Sequence, residues 1–158
     1  MKRKLETYSE TLYHLINFRI EQFKQSKSII GIDYIAFMIL SVIGGHVLKH
    51  NFLGVNDWDS VWAQTRTKKN EDFLIKKKLT IFAVASILNL PKETVRRKIE
   101  LLKKKKFINH TSKLGLLPTD KIEILMKPFS INEVNSLSAF LNALKKNKAL
   151  DQILQIND

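Results

Sequence analysis

A mainly α-helical fold with one short two-stranded β-hairpin is predicted by three features of the sequence. Apolar residues recur at three- and four-residue steps over long stretches near both ends, the period of helices with one buried face. Two helical segments in the second half are separated only by "NLP", a tight-turn signal. Directly after them, "FINHT" and "KLGLLPT" read as two short strands, 107–111 and 113–118, around a turn.

Each element follows from its residues. Leu5, Tyr8, Leu12, Leu15, Ile16, Ile20 and Phe23 lie on one stripe of a helix over about 4–27, widened by Tyr13 and Phe18. Asp33 has the side chain and position of an N-cap for a second helix, about 33–49, apolar nearly all round and therefore central. Gly44 and Gly45 allow a close approach there or weaken the last turn. In 51–79, Trp58 and Trp62 stand four apart on a short helix near 57–66, followed by a loop. Asp57, Asp59 and Ser60 suit the cap and acidic first turn of that helix better than a cation site. Thr80 caps a helix over about 80–88. Asn89 tolerates the left-handed turn conformation, and Pro91 fits the first turn of the next helix, about 91–105. Asp120 with Glu123 and Ser130 with Glu133 have capping-box spacing, predicting helices near 120–127 and 130–146 divided by Pro128. Leu150, Ile153 and Leu154 add a further turn or two. The chain divides into N-terminal helices (1–50, core), a connecting insertion (51–79), a helix–turn–helix–hairpin region (80–127) and a C-terminal helix (128–158), within one compact domain.

Composition narrows the function. With 44% hydrophobic residues and only 3 prolines and 5 glycines in 158, the chain can bury a core. The absence of cysteine excludes disulfides and thiolate sites and suits a reducing cytoplasm. A formal charge of +12 predicts attraction to a polyanion. From Arg66 to Lys106 fourteen Lys or Arg face four acids, so the excess is localised. The run Ile29–Leu48 is interrupted by Asp33 and falls short of the ~20 apolar residues that span a bilayer, so no membrane role is expected. The N-terminus lacks the apolar core and cleavage site of a signal peptide. There is no Gly-rich phosphate loop, His-Glu-x-x-His or nucleophile elbow. Of four histidines, only His46 and His50 have ligand spacing, without a third partner. No enzyme activity, metal or cofactor is expected.

The order helix, tight turn, helix, hairpin is that of a winged helix-turn-helix. On the helix 91–105, Ile99 and Leu102 fall within about 40° of Val95 at 100° per residue. With Leu88 and Leu90 they form the shared core, where Ala85 permits a close crossing. Glu93, Arg97, Glu100 and Lys104 then point outward, with Thr94 and Arg96 on the flanks. A helix laid in a major groove needs long donors that match base edges, and the arginine fork matches guanine O6 and N7. Arg96 and Arg97 are the candidate base readers, with Lys92 near the helix start. Glu93 either accepts from cytosine N4 or serves the helix dipole. Thr94 is a candidate phosphate donor, and Lys98 and Lys103 to Lys106 supply sequence-independent attraction. The assignment requires both guanidinium groups to be exposed in the free protein, neither occluded nor locked into internal ion pairs.

The stretch "FAVASILNLPKETVRRKIELLKKKKFI", Phe82 to Ile108, resembles the winged helix-turn-helix of bacterial transcription regulators, particularly the MarR type. The long terminal helices and apolar second helix extend the likeness along the chain. The resemblance implies a sequence-specific regulator of double-stranded DNA, a homodimer paired through its terminal helices, and a palindromic site. It also implies a minor-groove contact from the turn His110–Leu114, with Lys113 as the contact residue. Regulators of this kind often respond to small-molecule effectors, and no residue here identifies one. Two features depart from the pattern. The segment 51–79 is longer than the usual link, and the turn carries one lysine where such wings often carry arginine. Two other classes remain open: a protein-interaction module that meets an acidic partner, and a non-specific nucleic-acid architectural protein.

Overall fold

The computed structural model describes residues 2–49, 57–65 and 67–154. The fold is mainly α, with eight helices and one two-stranded antiparallel sheet among those residues. It divides into two compact units, one of residues 32–127 and one of residues 1–31 with 128–158.

The unit 32–127 is built around α2 (Tyr34–Leu48). Asp33 caps it as expected, its side chain accepting from the Ala36 N–H at 3.0 Å. Ile39 and Ile43 are fully buried among α5 (Ile81–Leu88), α6 (Lys92–Lys104) and the sheet. Val84 on α5, Val95, Ile99 and Leu102 on α6, and Leu116 on the sheet complete this core. Each such side chain contributes about 1.5–3 kcal/mol by leaving water.

The connection from α5 to α6 is fixed by backbone chemistry. Thr80 Oγ1 accepts from the Ala83 N–H at 3.1 Å, which starts α5. At its end Asn89 takes the left-handed conformation, φ 51°. The Leu90 N–H donates to Ala85 O and the Asn89 N–H to Ser86 O, a Schellman closure. Pro91 precedes α6 at φ −57°, one residue before the first-turn place expected for it. The same closure ends α6, with Lys106 at φ 59°, Phe107 donating to Leu102 O and Lys106 to Lys103 O. Strand β1 (Ile108–Thr111) then pairs with β2 (Gly115–Pro118), Ile108 opposite Pro118 and Thr111 opposite Gly115. The strands are shorter than the two apolar runs suggest because Phe107 belongs to the helix closure.

The segment between α2 and α5 departs from expectation. Helix α3 (Trp58–Thr65) lies where predicted, and the Asp57 side chain accepts from the Ser60 N–H at 3.0 Å as a cap. The loop expected after it is instead α4 (Lys68–Lys76). Its polar, lysine-rich sequence hides a short apolar face, Phe73 and Leu74, which only tertiary packing makes decisive. Val47, Trp62 and Leu74 form a buried cluster with Trp58, Phe73, Leu114 and Leu117 around it, so both tryptophans are packing residues. Gly44 faces the Trp62 ring, 4.0 Å from where a Cβ would lie.

The other unit contains α1 (Lys2–Gln25), a wider π turn Ser26–Ile30, the later part of α7 (Asp120–Lys146) and α8 (Ala149–Leu154). Two helices were expected across 120–146, and one is found, with Pro128 inside it. Proline φ is compatible with the helix, and the lost N–H donor and the ring's clash with the preceding turn do not end it here. Glu133 closes no capping box, since its Oε1 accepts from Gln22 Nε2 at 2.7 Å across to α1. Phe18 stacks on Phe140 at 5.6 Å between centroids. The apolar stripe of α1 is largely exposed: Tyr8, Leu12, Ile16, Ile20 and Phe23 lie open, as do Ile131, Val134, Leu137 and Leu141 on α7. Among the described residues no single helix is long and apolar enough to cross a membrane.

Candidate nucleic-acid interface

Helix α6 is two-faced. Val95, Ile99 and Leu102 are completely buried, which orients the rest of the helix. Lys92, Glu93, Arg96, Arg97 and Lys104 are exposed on the other side, and Thr94 is half-buried between the faces. The Arg96 and Arg97 side chains retain 52% and 76% of their exposure, so neither is occluded.

Both arginines do engage a carboxylate, and it is Glu93. Arg96 grips it with two bonds, Nη2 to Oε1 at 2.6 Å and Nε to Oε2 at 2.9 Å. Arg97 Nε donates to Oε1 at 3.3 Å. Chiefly through the Arg96 hydrogen bond, Glu93 is pulled down to about 2 and stays ionised at any working pH, and the same contact raises Arg96. Glu93 is thus the resting partner of both guanidinium groups. Exposed pairs one helical turn apart gain little over hydration, so they organise the arginines without locking them.

The lysines differ in their settings. Lys98 is inward-leaning, 29% exposed, with Nζ 2.7 Å from Asp33 Oδ2. It was expected to attract phosphate, and it ties α6 to the cap of α2. Lys103 pairs with Glu100 at 3.0 Å on its own helix. Lys113, on the hairpin turn, has Nζ 3.1 Å from Glu71 Oε1 on α4. Lys92 and Lys104 remain on the open face. At the end of α6, Lys121 Nζ donates to Lys105 O at 2.9 Å and lies over the Phe107 ring, beside Lys105. Cations there also suit the negative end of the helix dipole.

Asp33 is the residue whose second role the sequence does not disclose. Partial burial alone would raise its carboxyl, but bonds from Lys98 and the Ala36 N–H and the Lys98 charge outweigh it, holding the group below 3.8. A depressed carboxyl stabilises the fold above its unfolded value and loses that contribution as pH falls through the folded one. Lys98→Met should therefore lower the urea midpoint by an amount worth about 0.5–1 kcal/mol near neutral pH, because the pair is partly exposed. The difference from the parent should shrink below about pH 4. A difference that persists undiminished at pH 2 would show that Lys98 acts through packing and not through its charge.

His46 Nε2–H donates to Lys77 O at 2.7 Å and sits beside Phe73, a structural contact, while His50 lies outside the described residues. Among the described residues no three His, Asp or Glu side chains are grouped to hold a metal ion. Comparison with protein-family models, curated proteins and solved structures gives no match.

Proposed function

We propose that this chain is a sequence-specific regulator of double-stranded DNA that acts as a homodimer through a winged helix-turn-helix of the MarR-like kind. The observation that carries the reading is the sidedness of α6: its stripe Val95, Ile99 and Leu102 is wholly buried, and Arg96 and Arg97 are exposed away from it. The Schellman turn at Asn89 and the hairpin after α6 support it, since helix, tight turn, helix and hairpin is the order of that motif. Arg96 and Arg97 read base edges, while Lys92, Thr94 and Lys104 meet phosphates. The exposed apolar rows of α1 and α7 favour a second copy of the chain as their cover. A two-fold dimer reads half-sites about one helical turn apart.

Selection of bound sites from a random duplex pool with the purified protein tests this reading. A two-fold symmetric sequence should be enriched. Uniform recovery with a steep salt dependence would replace it with non-specific architecture. One observation favours another reading: Arg96, Arg97, Lys103 and Lys113 all hold carboxylates, as they would on an acidic protein partner. Competition by heparin but not by duplex at moderate salt would select that alternative.

A further inference from the structure

The hairpin turn is held by its own chain. Lys113 Nζ lies 3.1 Å from Glu71 Oε1, and Lys78 Nζ donates to Ser112 O at 2.9 Å. The Leu116 N–H donates to Leu79 O at 3.0 Å, and Leu79 bridges Gly115 in parallel. Gly115 is at φ +75°, and a Cβ there would stand 2.5 Å from Leu79 O, so only glycine lets the turn seat so closely. Leu114 and Leu117 pack against the Val47–Trp62–Leu74 cluster. These contacts place the turn against α4 and the residues that follow it, the very segment that exceeds the usual link.

The cation that a wing would offer to DNA therefore already has an anion. A carboxylate oxygen at this distance from an ammonium group supplies what a phosphate oxygen would supply. Both side chains are exposed, Lys113 by 64% and Glu71 by 47%, so the pair is weak and open to exchange. We propose that Glu71 is an internal stand-in for a DNA phosphate on Lys113, so that α4 restrains duplex affinity and full docking exchanges carboxylate for phosphate. The proposal rests on the DNA-binding reading above. It assigns the long connecting segment a role, that of limiting the wing's electrostatic contribution.

The test compares duplex binding across salt for the full chain and for Glu71→Gln, Lys113→Ala, their combination, and Asp72→Asn. Asp72 is an exposed neighbour on the same helix and controls for the loss of one negative charge. Glu71→Gln should tighten binding roughly fivefold and steepen the salt slope by about 0.9, one added phosphate contact. Lys113→Ala should weaken binding by losing that contact and should cancel the gain when combined with Glu71→Gln. An Asp72→Asn effect equal to that of Glu71→Gln would overturn the proposal, as would a gain that survives Lys113→Ala. Weaker binding by Glu71→Gln, with a lower thermal midpoint, would make Glu71 a brace and not a mask. Absence of duplex binding by every variant would sink the DNA-binding reading itself. A loss of site preference on alanine replacement of Arg96 and Arg97, beside an inert Glu71→Gln, would sink only the masking.

Discussion

Replacing Arg96 and Arg97 together with alanine is expected to erase preference for the selected site while leaving salt-sensitive affinity for unrelated duplex. Each bidentate contact to a guanine distinguishes its base by roughly tenfold to a hundredfold. The double variant should therefore bind selected and scrambled duplexes within a few-fold of each other in an anisotropy titration. Residual attraction should persist because Lys92 and Lys104 remain on the open face. The thermal midpoint should hold, since both side chains are exposed and, among the described residues, bond to Glu93 on their own helix. Preserved discrimination would remove both arginines from base reading, and with them the reason to lay α6 in the groove.

The second large effect lies on the opposite side of the same helix. Ile99→Ala should cost about 2–5 kcal/mol, because Ile99 is fully buried and its removal leaves a cavity among packed helices. A urea titration reads this as a lower midpoint. Site preference, measured where the variant is still folded, should be unchanged, because the exposed face keeps all its donors. The pair of variants thus separates packing from recognition on one element. An Ile99→Ala protein of parental stability would mean that α6 is not anchored through this stripe.

Much of this arrangement is legible in the sequence where a local device dictates it. Asp33 and Thr80 solve a helix-start problem with their side chains, and Asn89 a helix-end problem with a left-handed backbone, each within four residues and each as found in the structure. The 3.6-residue period likewise places Val95, Ile99 and Leu102 inside and Arg97 outside. Long-range pairings are not legible in the same way. Nothing near Lys98 indicates that it will meet Asp33, and nothing in "SKLG" indicates Glu71, because both partners are brought in by α2 and α4 packing. Helix α4 is obscured by its lysines, and Pro128 suggests a break that α7 does not make. The stripe on α1 carries a different lesson: periodicity identifies an apolar face but not whether the same chain covers it.

The Leu79–Gly115 bridge lies one residue before Thr80, whose hydroxyl holds the first turn of α5. Hairpin and helix start are consequently coupled like two ends of a short lever. A force that pulls the hairpin away acts on this joint as well as on the Lys113–Glu71 and Lys78–Ser112 contacts, so part of the strain applied at the turn is delivered to the root of α5.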